Sequence, residues 1–513
     1  MAILAAPAQA SPALQSFVMD DDLLVYGTYQ DRDSALSSMR AMGVDGIRVT
    51  VSWKFVSGEQ NGRPRRRPPR LRGKRAEDPR RYRSDIWDRF DDIVRLARAN
   101  GITVLFNPTG PGPVWANGRA PQSRRFDQSA WKPSSAAFRQ FVVALGRRYS
   151  GTWVDENQDH SVLPRVAVWS IYNEPDQPAS LSPQMEFNKK LHRQIPVAPM
   201  LYRELYYSAT SALRETGHGD DLIMMGETAP LGAVRNTPRV HLWPKLFIRE
   251  MFCVKRNGRP YTGLEARVRR CSELRRNGPF LVKAYAHHPY SQKSPPGRRD
   301  RFADSINMAN IGDLPVLLDG LAASTGLIPK DLPIALTEIG WETRPPDPTR
   351  GVSLKNQADW LNIADHIAYD QPRVFINTQF VLRDVKPRAK YRGQRKRLSQ
   401  YWATWQSGLL FANGQTKPAF QAFLMPFDVR LNGQTAQMWG QLRFLANSTP
   451  GDVYLQFRPA GSPDWQPAGG PFHVENRFGY WETQVASPGP GVWRSVVLLG
   501  DQAVTSREVS VSS

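Results

Sequence analysis

From residue 22 to about residue 425, short apolar runs alternate with segments whose apolar positions recur at helical spacing. That is the pattern of repeated strand–helix units around a parallel sheet. The runs are Leu23–Tyr26, Ile47–Val51, Ile102–Phe106, Val166–Ile171, Leu222–Met225, Ala284–Ala286, Ile334–Leu336 and Val374–Ile376. Eight such runs fit an α/β fold of the (β/α)8 TIM-barrel type. Segments 33–42, 86–99, 135–149, 200–216, 314–324 and 357–369 supply the helices, and Gly43, Gly101 and Gly217 mark three of their ends. Segment 227–280 has no strand–helix reading and is expected to be an elaborated loop.

After Phe427 the period changes to two. Ala436–Phe444, Val453–Phe457, Tyr480–Val485 and Trp493–Leu499 alternate polar and apolar residues between Gly, Pro and Ser turns, which predicts a small all-β sandwich. The expected organisation is therefore an N-terminal segment 1–21, a barrel 22–425 and an accessory sandwich 426–513. Ala8-Gln9-Ala10 has the small-x-small shape of a signal-peptidase site, so 1–21 reads as the remnant of a leader and the protein as secreted. No run reaches the about 18 to 20 apolar residues of a membrane span, and a soluble monomer is expected. Cys253 and Cys271, the two cysteines, are expected to pair and staple the 227–280 insertion.

Charge adds a second theme. The formal net charge is +21, and residues 63–83 contribute +9 of it, with eleven Lys and Arg against two acids. A field of this sign attracts polyanions. The stretch reads first as a Pro-rich solvated loop and second as a contact to acidic polysaccharide or cell wall. No nucleic-acid-binding motif accompanies it, so no nucleic-acid partner is expected.

The chemistry lies where the runs end, because the sites of such barrels sit at the C-terminal ends of the strands. Run two carries Arg48, run four ends in Asn173-Glu174-Pro175, run five in Glu227, run six in His287-His288-Pro289-Tyr290 and run seven in Glu338. Glutamates at the ends of strands four and seven can face each other at about 5 to 5.5 Å, close enough for one to attack an anomeric carbon while the other protonates the leaving oxygen. Nothing in the motifs requires a metal or cofactor.

Four of these motifs, in this order, resemble the clan A glycoside hydrolases, the superfamily of (β/α)8 enzymes that includes the cellulase-like families. Gly46-Ile-Arg48-Val-Thr-Val-Ser-Trp53 is similar to their strand-two signature, and Trp169-Ser-Ile-Tyr-Asn173-Glu174-Pro175 to their strand-four motif. His288-Pro-Tyr290 is similar to their strand-six motif, and Thr337-Glu338-Ile-Gly-Trp341 to the strand seven that bears the nucleophile. The resemblance spans about residues 22–425. It implies a retaining glycosidase acting on a carbohydrate substrate, with Glu174 as acid/base and Glu338 as nucleophile. Asn173 would hold the sugar 2-hydroxyl, and Arg48 and Tyr290 would hold Glu338 ionised. Glu227, His288, Trp341 and Trp405 are further candidates for substrate contact. Strand eight departs from the clan pattern: where a Trp is expected the chain reads Phe375-Ile-Asn-Thr-Gln379-Phe, so Gln379 would take that place with Trp405 reaching in from further on. The competing reading is a non-catalytic glycan- or wall-binding barrel that works through its basic loop.

Overall fold

The computed structural model describes residues 11–59, 66–121, 128–233, 240–445 and 451–512. Eight parallel strands close a barrel in chain order: β1 (Gln15–Met19), β2 (Gly46–Ser52), β3 (Thr103–Thr109), β4 (Val168–Ser170), β5 (Leu222–Thr228), β6 (Ala284–His287), β7 (Ile334–Ile339) and β8 (Val374–Phe380). β1 pairs with both β2 and β8, and this closes the ring. Helices return most of the connections, among them α1 (Asp21–Leu24), α2 (Tyr29–Ala41), α3 (Ser84–Ala99), α4 (Ser135–Arg148), α5 (Ala198–Glu215), α6 (Asp313–Thr325) and α7 (Leu354–Tyr369). Among the described residues no helix is long and apolar enough to cross a membrane.

The first strand corrects the sequence reading. Leu23 and Leu24 are helical, and Asp20 caps their helix by accepting from the Leu23 amide at 3.0 Å. The strand is Gln15–Met19, inside the segment 1–21 assigned to the leader. Ser16 to Met19 are all buried, as befits a strand covered on both faces, whereas the acids Asp20, Asp21 and Asp22 favour a helix start. Residues 1–10, including Ala8-Gln9-Ala10, lie outside the described residues.

One buried cluster drawn from six strands fills the barrel: Phe17, Leu105, Met224, Ala284, Ala286, Ala335 and Ile376. The large side chains need small neighbours. A Cβ on Gly46 would lie 2.2 Å from the Phe17 ring, so β2 passes that ring only as glycine. With this layer packed solid, the polar side chains at the strand ends form the floor of the mouth.

The insertion after β5 forms short helices at Pro244–Met251, Gly263–Val268 and Cys271–Asn277, and the Cys253–Cys271 disulfide is formed. The basic stretch is more structured than a solvated loop. Residues 63–65 lie outside the described residues, but Pro69–Leu71, Gly73–Glu77 and Pro79–Arg81 are 3-10 turns with Leu71, Ala76 and Tyr82 buried. The Tyr82 hydroxyl donates to the Ala76 carbonyl at 2.8 Å, and the Trp87 indole donates to Pro79 at 3.0 Å. Asp78 pairs with Arg80 and Arg81, and Asp85 pairs with Arg83, so part of the charge is matched locally.

After the helix α8 (Pro418–Leu424) the chain forms a β-sandwich. β9 (Phe427–Asn432), β10 (Thr435–Gln441) and β13 (Tyr480–Ala486) make one antiparallel sheet. β11 (Gly451–Pro459), β12 (Gln466–Val474), β14 (Gly491–Leu499), β15 (Gln502–Thr505) and β16 (Val509–Val511) make the other. Phe427, Met438 and Trp481 from one sheet share a core with Leu455, Phe457, Trp493 and Val497 from the other. The sandwich docks on α7 and β1. Trp439 stacks on His366 with ring centroids 4.9 Å apart, Arg443 donates to Ser16 Oγ at 2.8 Å and pairs with Asp365, and the Tyr480 hydroxyl donates to the Leu14 carbonyl at 3.0 Å.

Candidate active site

Asn173 and Glu174 stand on the turn that leaves β4. The backbone there is unusual: Tyr172 and Glu174 have φ of 72° and 43°, and Glu227 at the end of β5 has 49°. Such left-handed non-glycine residues cost on the order of 1–3 kcal/mol each and persist only where surroundings fix them. Neighbouring strands fix these. The Glu174 amide donates to the Glu227 carbonyl at 3.0 Å, the Asn173 amide donates to Thr109 Oγ1 at 2.8 Å, and the Tyr172 amide donates to the Pro108 carbonyl at 3.1 Å. Asp176, two residues on, accepts from the Ala229 amide at 3.1 Å and ties the β4 and β5 loops together.

Arg48 organises the floor. Its guanidinium is fully buried, donates to Glu227 through Nε at 2.9 Å and Nη2 at 2.5 Å, and donates to Asn173 Oδ1 at 2.7 Å. Its Nη1 lies 3.1 Å from Glu338 Oε1. Ser170 donates to Glu227 at 2.7 Å, so three hydrogen bonds hold that carboxylate. Glu227 was expected to touch sugar; it is fully buried, does not line the cavity, and serves as the counter-ion of Arg48. Burial opposes its charge, yet Arg48, His288 and Ser170 hold its carboxyl below the usual glutamate range.

Three groups meet above this floor. One carboxylate oxygen each of Glu174 and Glu338 and one ring nitrogen of His288 all lie within 4.8 Å of one another. His288 Nδ1 is 3.0 Å from Glu174 Oε1 and 3.6 Å from Glu338 Oε2. The Tyr290 hydroxyl donates to Glu338 Oε2 at 3.0 Å. Burial pushes the Glu338 carboxyl up, His288 and Arg48 pull it down, Glu174 and Glu227 push it up again, and the net direction is up. Burial disfavours a charged His288, but Glu338, Glu174 and Glu227 outweigh it and raise its pKa. Burial, then Glu338, drives the Tyr290 phenol well above its ordinary value, so it stays a neutral donor. His287 is different: burial lowers it to about 3, and Thr228 and the Ile306 carbonyl hold its two nitrogens, so it braces β5 against β6.

Glu174, His288 and Glu338 also have donor atoms near enough to hold a metal ion. The Arg48 guanidinium, already on Glu338, opposes a second cation there.

A cavity of about 400 Å³ opens over the pair, lined by Met19, Asn173, Glu174, Tyr290, Glu338, Trp341, Phe380 and Trp405, together with Lys293, Glu342 and Arg350. A wider groove of about 750 Å³, between Arg98 and Arg165, precedes β3 and β4 at the opposite end of the barrel and holds neither glutamate. Trp405 is half exposed on the cavity wall, whereas Trp341 is buried, with its indole donating to Ser291 Oγ at 3.2 Å. Gln379 does not take the strand-eight place. It is buried and its amide donates to the Val381 and Ser407 carbonyls, while Phe380 lines the cavity edge-on to Trp405 with centroids 5.3 Å apart. The alternation of β8 allowed this, since adjacent residues face opposite sides. Met19 carries no sequence signal, because the apolar run Leu23–Tyr26 beside it looks more like a strand than Gln15–Met19 does. Lys293, Glu342 and Arg350 carry no local signal, for charged loop residues look alike until the loops fold.

Fold and site together define a (β/α)8 barrel with a carboxylate pair set in its mouth. No family model matches the sequence, and no curated protein does. Among solved structures the chain is similar to a family 39 glycoside hydrolase from the gut symbiont Bacteroides cellulosilyticus WH2, at 14% identity and a TM-score of 0.48, over 93% of this chain and 79% of that one. It is also similar to the endo-beta-1,4-mannanase from Thermotoga petrophila, at 10% identity and 0.41, over 99% of each chain. A third is GH5_18 from Streptomyces cattleya in complex with GlcNAc, at 14% identity and 0.44, over 81% of this chain and 79% of that one.

Proposed function

We propose that the protein is a retaining glycoside hydrolase of clan A, secreted, with Glu338 as nucleophile and Glu174 as acid/base. The observation that carries this is the closeness of the two carboxylates, whose oxygens come within 4.8 Å. Retaining enzymes space their carboxyl groups at about 5–5.5 Å, whereas inverting enzymes leave about 6.5–9.5 Å for a water. The partners divide the roles. Arg48 and Tyr290 both bond Glu338 and offset part of the upward push of burial on it, while Glu174 has only His288, shared with Glu338, as a side-chain partner among the described residues.

In the first step a Glu338 oxygen bonds to the anomeric carbon, the glycosidic C–O bond breaks, and the leaving oxygen takes the proton from Glu174. In the second step Glu174, now a carboxylate, takes a proton from water. The water oxygen bonds to the anomeric carbon and Glu338 leaves. Asn173 has a defined orientation for this chemistry: its oxygen accepts from Arg48, which leaves its NH₂ to donate to a sugar hydroxyl. The Cys253–Cys271 disulfide supports export, since such bonds persist in oxidising compartments.

Replacing Glu174 or Glu338 by Gln is expected to lower glycan hydrolysis by about 10²–10⁴-fold or more. Azide is expected to rescue Glu338→Gly, and product anomers followed by NMR should match the substrate. Full activity in either Gln variant would remove that residue's role. A non-catalytic glycan-binding barrel would instead show wall binding unaffected by both substitutions.

A further inference from the structure

The cavity holds more charge than the two-glutamate chemistry uses. Lys293 and Arg350 line it beside Glu174 and Glu338. Lys293 Nζ donates to the Thr349 carbonyl at 2.8 Å and meets no carboxylate among the described residues. Arg350 Nη2 donates to the Trp402 and Thr404 carbonyls at 2.8 and 3.2 Å, and its Nε faces Glu342 at 3.1 Å and Asp347 at 3.6 Å. Backbone carbonyls thus fix both cations on one wall, Lys293 with no carboxylate beside it among the described residues and Arg350 with two.

That wall continues outward. Trp402 and Thr404 end a loop that leaves β8 and carries Lys386, Arg388, Lys390, Arg392, Arg395, Lys396 and Arg397, seven cations and no acid within residues 386–397. All seven are exposed, and none has a carboxylate partner among the described residues. The Val385 amide donates to the Trp405 carbonyl at 2.8 Å and the Arg388 amide to the Tyr401 carbonyl at 2.9 Å, so the loop doubles back and delivers Trp405 to the cavity. The earlier basic stretch differs, because Asp78 and Asp85 match three of its arginines. Unmatched like charges repel, and a ligand of opposite sign relieves the repulsion.

We propose that the substrate is an anionic polysaccharide, with carboxylate or sulfate groups on its sugars. It runs from the glutamate pair past Lys293 and Arg350 onto the strand-eight loop 386–397. This rests on the glycosidase reading and adds the substrate class. An anion on a sugar near the cut bond meets Lys293, and later anions meet the loop cations in turn. The overall +21 charge steers such chains toward the protein.

The test titrates full-length Glu338→Gln protein, which leaves bound glycan uncut, with hexuronate, sulfated and neutral oligosaccharides of equal length. One anionic glycan is expected to bind at least about tenfold more tightly than the neutral one, with affinity falling between about 50 and about 200 mM salt. The hexuronate and sulfate arms decide which group is read. Adding Lys293→Gln, or the surface triple change K390E/R392E/K396E, is expected to weaken anionic binding by about three- to tenfold with an unaltered circular dichroism spectrum, and Lys293→Arg to restore it. Equal affinity for the neutral glycan, indifference to salt, or undiminished binding by the triple variant would overturn the proposal. So would duplex DNA that displaces the glycan at equal concentration. If the parent cleaves neutral glycans and Glu338→Gln does not, the glycosidase reading outlives this one; if the parent cleaves no glycan of any charge, both fall.

Discussion

Arg48 shows how a single residue joins stability to chemistry. It lies on β2, yet touches the ends of β4, β5 and β7 through Asn173, Glu227 and Glu338. A buried ion pair is costly to break from one side, because the remaining charge is left without partner or water; the cost is about 3–5 kcal/mol. Arg48→Met is therefore expected to lower the unfolding free energy by about that amount and to abolish activity. The double variant Arg48→Met/Glu227→Met should recover most of the stability and none of the activity. Urea unfolding beside a hydrolysis assay checks both. A double variant as unstable as the single one would show that Arg48 acts through something other than its pairing with Glu227.

At the scale of elements, the loop after β7 sets two neighbouring carboxyls, Glu342 and Asp347, apart. Glu342 is pushed up to about 8 by burial and by Asp347 and Asp384, against the pull of Arg350. Asp347 is buried as well, but Thr349 donates to it twice and keeps its carboxyl below the usual range. Since the folded-state pKa of Glu342 lies above its ordinary 4.5, the folded chain keeps a proton that the unfolded chain releases. Its contribution to stability is whole below pH 4.5, declines as pH rises, and is gone above about 8. Glu342→Gln cannot ionise. The stability difference, parent minus variant, should therefore fall steadily over that window in urea titrations. A difference independent of pH would mean that Glu342 does not hold its proton in the folded state.

In the whole molecule, barrel and sandwich are not beads on a string. Arg443 and Tyr480 of the sandwich bond to Ser16 and Leu14 at the start of the first strand, and Trp439 covers His366 on α7. The sandwich thus braces the corner where β1 and β8 close the ring. A chain ending at residue 425 is expected to unfold at lower urea than the full chain, and limited proteolysis should cut it first near residues 11–19. Two independent unfolding transitions in the full chain, the earlier one assigned to the sandwich, would contradict this coupling.

Much of this was legible in the sequence, for stated reasons. Seven of the eight apolar runs, Ile47–Val51 through Val374–Ile376, fall in or overlap barrel strands, because a strand buried on both faces is nearly all apolar. Glu174, Glu338, Asn173, His288 and Tyr290 could be found because a barrel puts its strand ends at one mouth. The run at Leu23 misled because local hydrophobicity does not separate a short buried helix from a strand, and the cap at Asp20 decided it. Whether Glu227 faced sugar or Arg48, and whether Gln379 or Phe380 faced the cavity, turned on side-chain direction, which periodicity leaves open by one residue. The cationic wall depended on tertiary structure most of all. Lys293, Arg350 and the 386–397 loop are far apart in the chain and become one surface only when the loops after β6, β7 and β8 fold over the same mouth.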